Sequence, residues 1–250
     1  MSTLRLCSAQ GGIILTAFLL FVILKQTKGG KMPKKEKNTL YKALLLLVKI
    51  LLKSTLKVVG TEKIPKTGGF ILASNHGSVF DPLIIMLALY RLIKRFLLPN
   101  KKVYWITNIA VLDRFYLFFL KKNCGCLPST GKGLLKSISL LNDGNPIGIF
   151  PAGPNLDNEK NITGGKTGVA YMALLSGASV VPVVCKCPKT NTFFQGLLGF
   201  FLLKKVEFGE PIRFPKKDRL YLKKHPDVVE HTIKIIMHEI AKTSGGKYDP

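Results

Sequence analysis

His76 and Asp81 are the residues of this chain whose types and spacing best fit an acid–base reaction. A carboxylate that accepts the proton on one imidazole nitrogen fixes the tautomer, stabilises the imidazolium and leaves the other nitrogen free to take a proton from a hydroxyl. The alternative for this spacing is a histidine that caps a helix. The pair therefore predicts a general base, provided that the fold brings the two side chains together.

The residues on either side of the pair indicate a strand followed by a helix. The run Gly69 to Ala73 is apolar, Gly77 and Ser78 suit a turn, and an apolar helix-like run extends from Pro82 to Leu89. Positions five apart lie about 140° apart on an ideal helix, so His76 is expected to lie in the turn before the helix. The junction of a strand and a helix is where α/β proteins often carry out chemistry.

Strand-like and helix-like runs alternate beyond Gly60. This pattern predicts an α/β fold with a mixed, largely parallel sheet flanked by helices, preceded by N-terminal membrane-associated helices. No Pro- or Ser-rich linker divides residues 58–250, which are predicted to form one domain. The predicted strands are Leu56–Val59, Phe70–Ala73, Val103–Thr107, Pro146–Phe150, Val180–Val184 and Val206–Gly209, and the predicted helices are Leu83–Arg91, Leu134–Leu141, Thr167–Leu175 and Asp227–Lys242.

Residues 1–57 are predicted to form a membrane-associated helical segment. Residues 7–24 carry no charge and precede several lysines, which favours a short membrane span or a signal anchor; the alternative is a non-essential extension before a second start at Met32. Residues 39–57 are predicted to form an interfacial helix, because a narrow lysine stripe borders a broad apolar face; the alternative is a buried helix. The lysines after residue 24 predict that the rest of the chain lies on the cytoplasmic face of the membrane.

The charge of the chain predicts an anionic partner. It carries 38 Lys and Arg against 14 Asp and Glu, a formal net charge of +24. The lysines border apolar helices and the aromatic residues cluster with leucines, so the pattern favours an anionic bilayer surface over a nucleic acid. Five cysteines, an odd number, favour a reducing compartment, and the two C-x-C pairs are interpreted as strand residues instead of zinc ligands.

A glycine-rich turn, Gly164 to Gly168, comes just before a helix-like run. Backbone N–H groups at such a position face an anion, and Lys166 is placed to contact a phosphate. The alternative is a flexible turn without a ligand. A P-loop is not predicted, because the spacing between the glycines is too short and no strand immediately precedes them.

Four stretches along the chain carry a resemblance to one family. They are Asn75–Asp81, which looks like an N-H-x4-D block, Phe150–Gly153 (F-P-E-G), Gly165–Ala170 (the K-x-G-x-A start of a helix) and Val181–Val184 (V-P-[VI]). Their types and order resemble the phospholipid and glycerol acyltransferase family, which includes the 1-acylglycerol-3-phosphate acyltransferases. The likeness covers about residues 58–245.

This resemblance implies a membrane-bound O-acyltransferase. The enzyme would move a fatty acyl group from a thioester, acyl-CoA or acyl carrier protein, to the hydroxyl of a lysophospholipid, by default 1-acyl-sn-glycerol-3-phosphate, giving phosphatidic acid. His76 would be the general base, oriented by Asp81, with no metal and no cofactor besides the thioester co-substrate. The substrate-binding residues implied are Asn75, Ser78, Lys132, Phe150, Pro151, Gly153 and Lys166.

Two departures from the family pattern concern the acceptor. Where the family usually has F-P-E-G-T-R-S, residues 150–156 read F-P-A-G-P-N-L, so the acceptor-binding glutamate and the nearby arginine are missing. In the family's second block, about Gly125 to Gly133, only Lys132 stands in for an arginine, and a lysine binds phosphate as a point charge. The alternative interpretation is a non-catalytic or divergent lipid- or acyl-carrier-binding module of the same fold, which the missing glutamate favours and the intact His76 and Asp81 oppose.

Overall fold

The computed structural model of the protein describes residues 56–77, 81–92, 103–108, 125–153, 161–186 and 204–249. These residues form an α/β fold with a seven-stranded sheet and a separate two-stranded sheet. The strands are β1 Leu56–Val59, β2 Phe70–Ser74, β3 Tyr104–Thr107, β4 Cys126–Pro128, β5 Ile147–Ile149, β6 Asn161–Thr163, β7 Ser179–Lys186, β8 Lys204–Phe208 and β9 Lys247–Asp249. The helices are α1 Asp81–Leu92, α2 Gly131–Asn142, α3 Gly168–Ser176, α4 Arg219–Lys224 and α5 Pro226–Ser244, with a 3-10 turn at Thr61–Lys63.

The large sheet has the order β1-β8-β7-β2-β5-β3-β4. Strands β7, β2, β5, β3 and β4 are mutually parallel, whereas β8 pairs with β7 in the antiparallel sense and β1 is parallel to β8. The five parallel strands therefore end at one edge of the sheet, which we call the carboxyl edge. Strands β8 and β1 begin at this edge, because they run in the opposite direction.

Both faces of the sheet are covered, and the alternation of side chains along β2 shows how. Phe70 and Leu72 pack on one side with the buried residues of α1, while Ile71 and Ala73 pack on the other side with α2, α3 and α5. Every residue of β2 is buried. A continuous apolar run is the pattern expected of a central parallel strand that is covered on both faces, so β2 ends in a rigid support for the residues that follow it.

Helix ends are set by short-range signals in the sequence. The Thr130 side chain accepts a hydrogen bond from the Gly133 N–H and so caps α2. Gly177 and Gly245 end α3 and α5 in the left-handed conformation, with φ of 71° and 78°. Gly133 also lies against the Pro128 carbonyl, where a Cβ would clash, so the start of α2 is held close to the end of β4.

The mixed, largely parallel sheet flanked by helices agrees with the prediction. Each predicted strand and helix is present, and all of them except the strand Leu56–Val59 have shifted ends. The prediction missed β4, α4, β6 and β9.

The predicted interfacial helix over residues 39–57 overlaps the predicted strand Leu56–Val59, and at these last two residues the helix prediction is wrong. Leu56 and Lys57 lie in β1, where they pair with Lys204 and Lys205 of β8. Pairing with a partner strand distant in sequence outweighed the local helical pattern there. Residues 7–24 and 39–55 lie outside the described residues. Within the described ranges, no helix is both long enough and apolar enough to span a bilayer.

Candidate active site

His76 and Asp81 meet at the carboxyl edge, just beyond the end of β2. His76 Nδ1 lies 3.1 Å from Asp81 Oδ2, and the Gly77 N–H donates to the same oxygen at 2.8 Å. The Asp81 side chain is fully buried at the first residue of α1, where the helix dipole favours its negative charge, and the His76 side chain is 22% exposed. Because a carboxylate only accepts hydrogen bonds, this contact assigns the proton to Nδ1 and leaves Nε2 able to accept one.

Asn75 holds the chain immediately before His76. Its side-chain Oδ1 accepts the Cys185 N–H at 2.8 Å, and its Nδ2 donates to the Cys185 carbonyl at 3.2 Å. The amide thereby extends the β2–β7 pairing, which reaches Ser74 and Val183, in the way that a backbone peptide would. Asn75 is predicted from the family motif to bind substrate; in the structure both polar atoms of its side chain are engaged by Cys185.

Phe150 follows β5 and packs flat against the imidazole. The ring centroids of His76 and Phe150 are 4.3 Å apart at an interplanar angle of 25°. The Phe150 ring also contacts Trp105 of β3, at 5.2 Å and 16°. Trp105 is buried, with 1% of its surface exposed. Sequence reasoning missed it, since no motif contains it and nothing local indicates which ring it meets.

Residues 150–153 form a tight turn that contacts the glycine-rich turn before α3. The Gly153 N–H donates to the Phe150 carbonyl at 3.1 Å, and Gly153 has a φ of +68° that favours glycine. The Lys166 N–H donates to the Pro151 carbonyl at 2.9 Å, and the Lys166 side chain is exposed. The structure therefore brings Pro151, Gly153 and Lys166 together at the carboxyl edge.

Lys132 lies farther from the histidine than the other predicted residues. It is exposed in the first turn of α2, just after β4, which is separated from β2 by β5 and β3. Three strand spacings of about 4.8 Å place the ends of β2 and β4 roughly 14 Å apart. Lys132 therefore shares the edge with His76 without being its neighbour. Ser78 lies outside the described residues.

Ala152 occupies the position of the family's glutamate. It is half-buried and packs against the core on the α3 side of the sheet. Among the described residues, no group of three or more His, Cys, Asp or Glu side chains is arranged to hold a metal ion. Cys126 is half-buried and Cys185 is buried, and Cys124 and Cys187 lie outside the described ranges.

Comparison with known proteins gives one family match and two curated relatives. The family model described as "Acyltransferase" matches residues 55–186. A 1-acyl-sn-glycerol-3-phosphate acyltransferase of Borreliella burgdorferi is 30% identical over 147 residues, which are 55% of this chain and 52% of that protein. The chain thus spans about half the length of this relative. The enzyme of the same name from Bacillus subtilis is 26% identical over 183 residues, 70% of this chain and 85% of the relative.

A solved structure that shares the fold comes from another bacterium. It is the 1-acyl-sn-glycerophosphate (LPA) acyltransferase PlsC from Thermotoga maritima, with a TM-score of 0.50, 18% identity, and coverage of 96% of this chain and 98% of the other. This likeness supports the α/β architecture described above. The family model spans just over half of the chain and includes the His76–Asp81 pair, so the protein belongs to the acyltransferase family, which confirms the family and the class of enzyme predicted from its motifs.

Proposed function

We propose that the protein transfers a fatty acyl group from a thioester, acyl-CoA or acyl carrier protein, to the hydroxyl of a lysophospholipid. The observation that carries this proposal is the hydrogen bond between His76 Nδ1 and the buried Asp81 carboxylate, on a histidine that remains partly exposed. Both curated relatives are named 1-acyl-sn-glycerol-3-phosphate acyltransferases, which supports proposing that lysolipid as the first acceptor. Its acylation would give phosphatidic acid.

His76 Nε2 takes the proton from the acceptor hydroxyl while that oxygen attacks the carbonyl carbon of the thioester. The tetrahedral intermediate then expels the thiolate, which takes the proton from the imidazolium. Asp81 stabilises the imidazolium while it exists. General base catalysis of this kind supplies on the order of 10² to 10⁴ in rate, and positioning of the two substrates supplies much of the rest. No acylated side chain, metal or further cofactor is needed for these steps.

Lysines are proposed to hold the phosphate of the acceptor. Lys166 lies beside the turn that follows Phe150, and Lys132 lies at the same edge of the sheet; both side chains are exposed. A lysine provides a point charge in place of the two-pronged contact of an arginine. The absence of a glutamate at Ala152 removes one polar contact to the acceptor, so its phosphate is the part that this site is best equipped to bind.

Membrane association on the cytoplasmic face is part of the proposal. Leu56, the first residue of β1, and Lys204, the first of β8, both lie at the carboxyl edge because these strands run opposite to β7. The lysine-bordered apolar residues 40–55 and the apolar residues 197–203 therefore join the domain at the edge that carries His76. A net charge of +24 favours an anionic bilayer there.

The test is transfer of a labelled acyl group to a panel of lysolipids, followed by thin-layer separation. Acyl-CoA and acyl carrier protein are offered in parallel as donors to the full chain in mixed micelles. We expect labelled phosphatidic acid from the wild type and a loss of roughly 10²-fold or more in His76→Ala. His231→Ala, which removes an exposed imidazole on α5, is the matched control and should stay at the wild-type rate.

The competing function is a module that binds a lipid or an acyl carrier without turnover, which the alanine at position 152 favours. Binding of lysolipid with no labelled product from any donor and acceptor pair would support that module. Full activity in His76→Ala would remove the proposed mechanism.

A further inference from the structure

Three planar side chains lie one above another beside the reacting histidine. The Phe150 ring is nearly parallel to both the His76 imidazole and the Trp105 indole, with centroid separations of 4.3 Å and 5.2 Å. His76 lies just after β2, Trp105 lies within β3, and Phe150 directly follows β5. Only the sheet brings them together, so the stack depends on the order β2-β5-β3.

Trp105 reaches Phe150 because the residue opposite it has no side chain. Gly148 of β5 is the register partner of Trp105, and a Cβ built on it would lie 2.5 Å from an indole carbon. The indole therefore lies across β5 and meets Phe150, which follows Gly148 by two positions and so points to the same face of the sheet. Packing of an aromatic ring over a strand glycine fills the gap that the glycine leaves.

The indole N–H takes no part in this arrangement. Trp105 Nε1 is buried without a hydrogen-bond partner among the described residues. A buried donor without a partner is unfavourable, so the contribution of Trp105 comes from the shape and plane of its ring. Another aromatic ring at position 105 should therefore preserve the contact with Phe150.

The imidazole needs such a support. The contact with Asp81 fixes the position of Nδ1 but leaves the ring free to rock about the Nδ1···Oδ2 line. A catalytic group works when it is held to within about 10–20° of its productive orientation. The flat contact with Phe150 restricts this rocking, and Trp105 restricts the tilt of Phe150.

We propose that Trp105 is a positioning residue for the reaction, acting through Phe150 to hold the imidazole plane of His76. The inference rests on the proposed role of His76 as the base. It does not depend on which lysolipid or which thioester is used.

The test combines a spectroscopic measurement without substrate and steady-state kinetics. In protein labelled with ¹³C-histidine, the stacked ring of Phe150 should shift the His76 ring protons upfield. Trp105→Leu should reduce that shift and lower kcat by about 10- to 100-fold, with both KM values nearly unchanged, since a small misorientation of a catalytic group costs that much. Trp105→Phe should keep the shift and stay within about threefold of the wild-type kcat, because it retains a flat ring.

Phe70→Leu is the matched control. Phe70 is fully buried in the same core as Trp105 but lies at the opposite end of β2 from His76. The Phe70→Leu variant should lose stability as Trp105→Leu does, but it should keep the wild-type shift of the His76 ring protons and the wild-type kcat. If Trp105→Leu does not fold, Gly148→Ala gives a second variant, since its methyl group pushes the indole away from β5 and should displace the same signals.

The two proposals fail in different ways. Activity that survives in His76→Ala overturns the base mechanism, whatever the spectra show. An unchanged His76 shift in Trp105→Leu or Gly148→Ala, with kcat equal to that of Phe70→Leu, overturns the positioning role while leaving the base mechanism intact. Loss of the shift together with a loss of kcat supports the positioning role.

Discussion

At the scale of single residues, the site depends on one carboxylate oxygen. Asp81 Oδ2 accepts the hydrogen bonds of both His76 Nδ1 and the Gly77 N–H, so the same atom orients the base and shapes the turn that carries it. The carboxylate is fully buried, which makes its charge costly unless it is paired or bonded in this way. Its burial therefore fits the proposed catalytic role.

Asp81→Asn separates the effect of the carboxylate charge on catalysis from its effect on stability. The asparagine oxygen still accepts a hydrogen bond, but the side chain is neutral and no longer stabilises the imidazolium, so kcat should fall by roughly 10² to 10⁴. The melting temperature should stay equal to that of the wild type or rise, because a buried charge is removed. Asp227→Asn, at an exposed position in the first turn of α5, is the control for both measurements. A kcat within threefold of the wild type would show that the charge of Asp81 is not used.

At the scale of elements, the sequence predicts the strands and helices well and the contacts between them poorly. The apolar runs of β2 and β7 and the periodicity of α5 are local signals, and their predicted positions agree with the structure to within a few residues. The missed β4 and α4 are short, at 3 and 6 residues, and β4 ends in a proline. Local patterns do not specify such elements, because their pairing or packing partners set them.

The candidate site shows the same division. His76 and Asp81 lie five apart, so their contact follows from the turn between them, and the structure shows this contact. The clamp of Asn75 on Cys185 spans 110 positions, and the stack joins residues 76, 105 and 150. Neither follows from spacing, since the order of the strands in the sheet decides which side chains meet.

Asn75→Ala tests the clamp between β2 and β7. It removes the two hydrogen bonds to Cys185, each contributing about 1 kcal/mol, so the melting temperature should fall by about 4–8 °C. Asn75→Asp should lower the melting temperature at least as much, because the second carboxylate oxygen faces the Cys185 carbonyl and repels it. Hydrogen exchange at the Cys185 amide should become faster in both variants. Ser137→Ala, which removes one hydrogen bond inside α2, is the control and should lose no more than half as much. Wild-type melting and exchange in Asn75→Ala would contradict the clamp.

At the scale of the whole molecule, the direction of the strands separates two kinds of basic residues. The lysine stripe predicted for residues 39–57 consists of Lys42, Lys49, Lys53 and Lys57, and the first three of these precede β1, which begins at the carboxyl edge. The basic residues around α4 lie at the opposite edge, because Lys216 packs against Gly177 just before β7 begins. Charge alone therefore does not decide which surface meets a bilayer. Replacing the lysines of one group or of the other should have different effects on membrane binding.

Replacing Lys42, Lys49 and Lys53 together by glutamine should weaken binding to anionic vesicles. Each lysine near such a surface contributes about 1 kcal/mol, so the partition coefficient should fall by about 100-fold at low salt. The matched control replaces Lys216, Lys223 and Lys224, which are exposed at or near α4, and should change binding by less than threefold. Sedimentation with vesicles containing phosphatidylserine measures both. A larger effect in the control would place the bilayer at the other edge of the sheet.

The reversed direction of β1 and β8 has a consequence for how the enzyme would meet its acceptor. A lysolipid held in the leaflet would encounter the imidazole by lateral diffusion, without leaving for bulk water. The turnover rate would then follow the mole fraction of lysolipid in the leaflet and remain constant when the leaflet and its lysolipid are diluted together in buffer.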